Sequence, residues 1–121
     1  MTNGDRKMKV MISQPMKGKR EEQIREERAG VVKRLEEDGF EVIDSIITEE
    51  PPHNSDEAIF YLAKSIELMS SVDVVYFTKG WEKARGCMIE HKICQDYGKQ
   101  TMYNIYDSDI KREIYAELEK L

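Results

Sequence analysis

The sequence has no stretch of about 18 apolar residues, the length a membrane-spanning helix needs, so no such helix is expected. Its first residues, MTNGDRK, lack the apolar core of a secretory signal. Cysteine is scarce: Cys87 and Cys94 are the two present. They fall seven apart on one predicted helix, which separates their backbones by roughly 10 Å, beyond the reach of a disulfide. These absences together predict a reduced, cytoplasmic protein. Basic charge is not in excess either. The net charge is −5 with both signs mixed along the chain, which argues against general binding of polymeric nucleic acid. No internal repeat, low-complexity segment, Walker loop or GxGxxG is present.

What is present fits one small domain, residues 1–121, with 1–6 as a polar leader. Lys7 to Ser13 reads as a first strand. A Pro- and Gly-containing turn follows, then a helix from about Arg20 to Asp38 with Ile24, Val31, Val32 and Leu35 on its apolar face. Its many charges read as a solvated face. Gly39 suits the helix end. Phe40 to Asp44 is a second strand, parallel to the first because a helix joins them. Ser45 to Thr48 offers a possible fifth strand, and Pro51 and Pro52 then stop regular structure. Asn54 and Glu57 resemble a capping box opening a helix to about Ser70, with Ile59, Leu62, Ala63, Ile66 and Met69 inward. Val74 to Phe77 is a short buried strand, Thr78 to Gly86 a loop, Cys87 to Tyr97 a helix, and Thr101 to Ile105 a last strand. Asp107 or Ser108 would cap a final helix bearing Ile110, Ile114, Leu118 and Leu121. The alternation predicts an α/β, doubly wound domain with four or five parallel strands and helices on both faces.

In such sheets ligands sit where strands end and helices begin, so two junctions carry the candidate chemistry. The first is Ser13-Gln14-Pro15-Met16-Lys17-Gly18-Lys19, leading into a helix whose N-terminus suits phosphate. The second runs from Gly80 to Glu90. Trp81 can stack on a base or sugar, Arg85 can hold phosphate, Gly86 opens the helix, and Glu90 can serve as nucleophile or base. Each has a plainer alternative: an ordinary turn, a hydrophobic plug, an ion pair with Glu82 or Glu90, a surface glutamate. Cys87, His91 and Cys94, at i, i+4 and i+7, share one helix face, which reads as packing against the sheet rather than as a metal site. No metal or cofactor is expected.

At these junctions the sequence resembles a family. Ile12-Ser13-Gln14-Pro15-Met16-Lys17-Gly18 looks like the ISGPM-x-G start of small bacterial and phage proteins of the DUF4406 type. Gly80 to Glu90 looks like their GWE-x-S-x-G-x-x-x-E signature. The resemblance covers about residues 8 to 104. That family is similar to nucleoside 2-deoxyribosyltransferases and deoxynucleoside 5′-monophosphate N-glycosidases. The likeness implies a flavodoxin-like fold, a nucleoside or nucleotide pocket, and Glu90 as the carboxylate that attacks C1′. It also implies a homo-oligomer, often with sites completed across subunits. Where the pattern expects a strand tyrosine this chain has Met11. An expected helix aspartate is Ser65, and the glycine of ISGPM is Gln14. Asp73 matches a family aspartate, with strand capping as its plainer role. Asp73, Glu82 and His91 are the candidates for a missing acid.

Two expectations follow. One is an enzyme that cleaves or transfers the N-glycosidic bond of a (deoxy)nucleoside or nucleotide. In it Glu90 and Asp73 are catalytic, and Ser13 to Lys19, Ser65, Gly80, Trp81, Arg85 and Gly86 bind substrate. The other is a sensor or sponge that holds a nucleotide or ADP-ribose-like signal intact. An interaction protein with a vestigial pocket is a third. Tyr103 to Tyr106 and the final helix are expected to offer a dimer surface.

Overall fold

A computed structural model describes residues 6–104. The expected final helix, the end of the last strand at Ile105, and residues 1–5 of the leader lie outside these residues, as does Tyr106. Within them the chain forms β1 (Lys9–Ser13), α1 (Glu21–Glu37), β2 (Glu41–Val42), α2 (Glu57–Met69), β3 (Val74–Phe77), a 3-10 turn (Trp81–Lys83), α3 (Arg85–Tyr97) and β4 (Gln100–Tyr103). All strands are parallel, in the order β2-β1-β3-β4. This is a doubly wound α/β sheet in flavodoxin-like order.

The period of two along each strand sorts its side chains into two cores. Val10 and Ile12 of β1 and Val74 and Tyr76 of β3 pack against Val31 and Leu35 of α1. Met11, Val75 and Phe77 point to the opposite face, against Met69 of α2 and Cys87 and Cys94 of α3. Helices therefore cover both faces. The crossover from β2 to β3 passes β1, so the winding reverses between β1 and β3. Ser13 lies opposite Phe77 at that reversal, and the Thr78 N–H donates to the Ser13 carbonyl at 3.1 Å.

The capping residue of α2 differs from the expected one. Asn54 sits in the left-handed region at φ 62°. The cap is Asp56, whose carboxylate accepts from the Ile59 N–H at 3.1 Å. The turn after Pro51 and Pro52, closed by Ser55 onto the Pro52 carbonyl, delays the helix by two residues, and Asp caps as well as Asn. Ile59 and Ala63 are exposed rather than inward, while Leu62 and Ile66 are half-buried and Met69 is buried. No fifth strand forms over Ser45 to Thr48 among the described residues. Ser45 is instead drawn inward, donating to the Ile12 carbonyl at 3.0 Å and accepting from Arg28. Arg28, at the interval between Ile24 and Leu35, completes the buried stripe of α1, so the charged face is not wholly solvated. At the far end of α1, Gly39 (φ 92°) lets the Phe40 N–H reach the Leu35 carbonyl at 3.0 Å and closes the helix.

Candidate functional site

The β1–α1 and β3–α3 loops meet above the point where the winding reverses. Gly80 (φ 88°) approaches Pro15 so closely that a Cβ on it would lie 3.8 Å from Pro15 Cγ. Gly18 (φ 80°) has open space around it, so glycine is required there by the backbone turn and not by crowding.

Below the loops, α3 turns Cys87, Glu90 and Cys94 toward the sheet. Their i, i+3, i+7 spacing is a core-facing stripe, and Glu90 occupies its middle. The carboxyl is only 7% exposed. Burial pushes its pKa up from 4.5 to about 7, and the neighbouring Ser13 hydroxyl offsets part of that. Ser13 sits beside the carboxyl without completing a hydrogen bond: Ser13 Oγ, Glu90 Oε2 and Thr78 Oγ1 are buried and have no hydrogen-bond partner among the described residues. Unpartnered buried polar atoms of this kind are costly. Burial also raises the pKa of the Cys87 thiol, which faces the same Ser13 hydroxyl, and so favours its neutral form.

The other side of the site is aromatic. The Trp81 and His91 rings lie 4.2 Å apart, centroid to centroid, at 31°. Phe77 lies under both, 5.4 Å from Trp81 and 5.0 Å from His91. Tyr103 closes the cluster 5.7 Å from each, and its hydroxyl is 2.6 Å from His91 Nε2. His91 therefore leaves the cysteine face and joins the loop. Tyr103, expected at a dimer surface, belongs to this wall while remaining 37% exposed. Sequence reading missed it, although parallel pairing of Tyr103 with Phe77 puts it on the Glu90 face.

The candidate residues of the first junction divide. Gln14 is buried and turned to α1, donating to the Ile24 carbonyl at 2.9 Å and accepting from Arg28. Lys19 is held by Glu27 at 2.9 Å. Lys17 and Met16 are exposed and Pro15 is half-buried. Arg85 opens α3 on the surface, and Gly86 touches Leu62 of α2, where a Cβ would stand 4.0 Å from Leu62 Cδ1. The serine of the GWE-x-S-x-G signature is here Ala84, the N-cap of α3, which has no side-chain cap. The first-turn N–H groups of α3 are thus left without a side-chain acceptor.

One candidate is not brought to Glu90. Asp73 stands at the amino edge of the sheet, the opposite end of β3. It accepts from the Lys9 N–H at 2.7 Å and from Arg6 at 3.0 Å, and these bonds hold its pKa below the usual value. That is the capping role. Ser65 is half-buried on α2, one turn before Met69. The described residues hold no group of three or more His, Cys, Asp and Glu arranged to take a metal. They also form no helix long and apolar enough to cross a membrane. A groove of about 670 Å³ between α1 and the β2 edge, walled by Arg25, Val32, Lys33, Ile43 and Asp44, is separate from this site.

Fold and site thus define a doubly wound α/β protein with a buried carboxyl group where its winding reverses. The chain belongs to the DUF4406 family, described as a domain of unknown function, whose model matches residues 8–103. No curated protein and no solved structure matches the chain.

Proposed function

We propose that the site acts on the N-glycosidic bond of a (deoxy)nucleoside or nucleotide, with Glu90 as nucleophile. The observation that carries the reading is Glu90 itself: buried, unpartnered on Oε2, and placed at the carboxyl edge where β1 and β3 part. An apolar pocket that destabilises a lone carboxylate makes it avid for a developing positive centre, and an oxocarbenium-like sugar supplies one. The Glu90 carboxylate would attack C1′ as the C1′–N bond breaks and its electron pair leaves with the base. The base takes a proton, and water or a second base then displaces Glu90 from C1′. Trp81 would face the base. Lys17 and Lys19 remain the phosphate candidates, Lys19 only by exchanging Glu27 for the ligand.

The separation of Asp73 from Glu90 favours a second reading, a sensor or sponge that binds the same ligands intact. Loss of a general acid costs typically 10²–10⁴-fold in rate. A homo-oligomer working in the cytoplasm is part of both readings; exposed Ile59, Tyr61, Met88 and Ile89 on α2 and α3 support an assembly surface.

The test is incubation with a panel of nucleosides, 5′-monophosphates and ADP-ribose derivatives, measuring free base and intact ligand. Base release by the wild type that is lost in Glu90→Ala supports the enzyme. Tight binding with all ligand recovered intact replaces it with the binder. Neither binding nor release contradicts both.

A further inference from the structure

Trp81 is held by neither a strand nor an α-helix; it lies in a three-residue 3-10 turn between Gly80 and Ala84. A loop ring that is to serve as a wall needs an anchor from a rigid element. Here the anchor comes from β4 through a chain of contacts. Thr101 and Tyr103 are two apart on that strand and so share a face, and Thr101 Oγ1 donates to the Tyr103 hydroxyl at 3.2 Å. The Tyr103 hydroxyl in turn stands 2.6 Å from Nε2 of the His91 imidazole, at hydrogen-bond distance. That ring lies against the Trp81 indole, tilted by 31° with the centroids 4.2 Å apart. His91 follows Glu90 directly and is rotated about 100° from it around α3, so it flanks the site while Glu90 floors it.

We propose that His91, anchored by Tyr103, is a positioning residue that sets the Trp81 indole as the wall against which a planar heteroaromatic ring stacks in the Glu90 site. The assignment deepens the nucleoside or nucleotide reading and rests on it for the identity of the ring. It accounts for the Tyr103 hydroxyl of β4 meeting a side chain of α3. Base–aromatic stacking tolerates any base, so this wall alone selects flat heteroaromatic rings without choosing among them.

Trp81 is the single tryptophan, so its emission reports this ring alone. The experiment measures acrylamide quenching of Trp81 and the binding of adenosine, cytidine and their 5′-monophosphates, for wild type, His91→Ala, His91→Gln and Tyr103→Phe. Far-UV circular dichroism and the thermal midpoint control for folding, and Thr101→Val serves as a milder variant should either substitution unfold the chain. The expected result is greater quenching in His91→Ala and Tyr103→Phe, with nucleoside binding weakened roughly tenfold, the equivalent of about 1.4 kcal/mol. His91→Gln, whose amide oxygen can accept from Tyr103, should recover part of the loss. Unchanged quenching in both variants, with nucleosides still bound by the wild type, overturns the positioning role and leaves the nucleotide reading standing. Freed Trp81 in the variants, with none of the four compounds bound by the wild type, overturns the ring wall through failure of the nucleotide reading itself.

Discussion

Ser13 and Glu90 face each other where β1 ends and α3 begins, both more than nine-tenths buried and neither completing a hydrogen bond to the other. A hydroxyl and a carboxyl held this way form a site that is poised but unsatisfied. The stability of the fold is therefore coupled to the proton on Glu90.

The sign of that coupling follows from the raised value. Glu90 titrates near 4.5 in the unfolded chain and at about 7 when folded. Between those values the folded protein holds the extra proton, so stability falls as pH rises and levels off above about 7. The full difference is on the order of 3 kcal/mol. Urea unfolding at pH 4.5 and pH 8 should show the wild type losing stability across this range, and Glu90→Gln losing much less of it.

Arg28 and Ser45 make a second testable pair on the opposite face of the sheet. Ser45→Ala removes one of the two acceptors described for the buried guanidinium and the donor to the Ile12 carbonyl at once. A loss of about 1–3 kcal/mol is expected, read as a lower urea midpoint with an unchanged slope.

Gly80→Ala tests the meeting of the two loops. The space beside Pro15 is adequate for a methyl group at 3.8 Å, so the cost lies in the backbone, held at φ 88°. A loss of about 1–2 kcal/mol is expected from the left-handed conformation alone, seen as a lower thermal midpoint.

Asp73→Asn separates the capping role from chemistry. The Lys9 N–H and Arg6 hold the Asp73 pKa low, so the carboxylate stabilises the fold above its unfolded titration near 3.8, and that contribution is lost as pH falls through the depressed folded value. The variant should be less stable at neutral pH, with the difference from wild type shrinking in acid. Ligand binding at the far edge should be unchanged.

Much of the fold was legible because it depends on local pattern. The short β-prone runs and the helical spacing of Val31 and Leu35 predicted a parallel, doubly wound sheet, and the two ligand-edge junctions followed from it. What could not be read depended on tertiary partners. Arg28 looks like one more surface charge until Ser45 and Gln14 are brought beside it. His91 fits the cysteine face by spacing, since i+3 and i+4 serve a helix equally, and only the Trp81 loop draws it away. Asp73 is close to the second junction in sequence, yet a strand places it at the wrong end of the sheet. Ile59 and Ala63 carry an inward spacing, yet both lie on the exposed side of α2 among the described residues.

In the proposed reaction Glu90 becomes covalently bonded to the sugar. The most direct measurement is intact-protein and peptide mass spectrometry of enzyme acid-quenched during turnover of whichever panel compound releases base. The account predicts a mass increase of one glycosyl unit on the peptide containing Glu90, absent in Glu90→Ala. Base release that proceeds undiminished in Glu90→Ala, or an adduct on another residue, would contradict it.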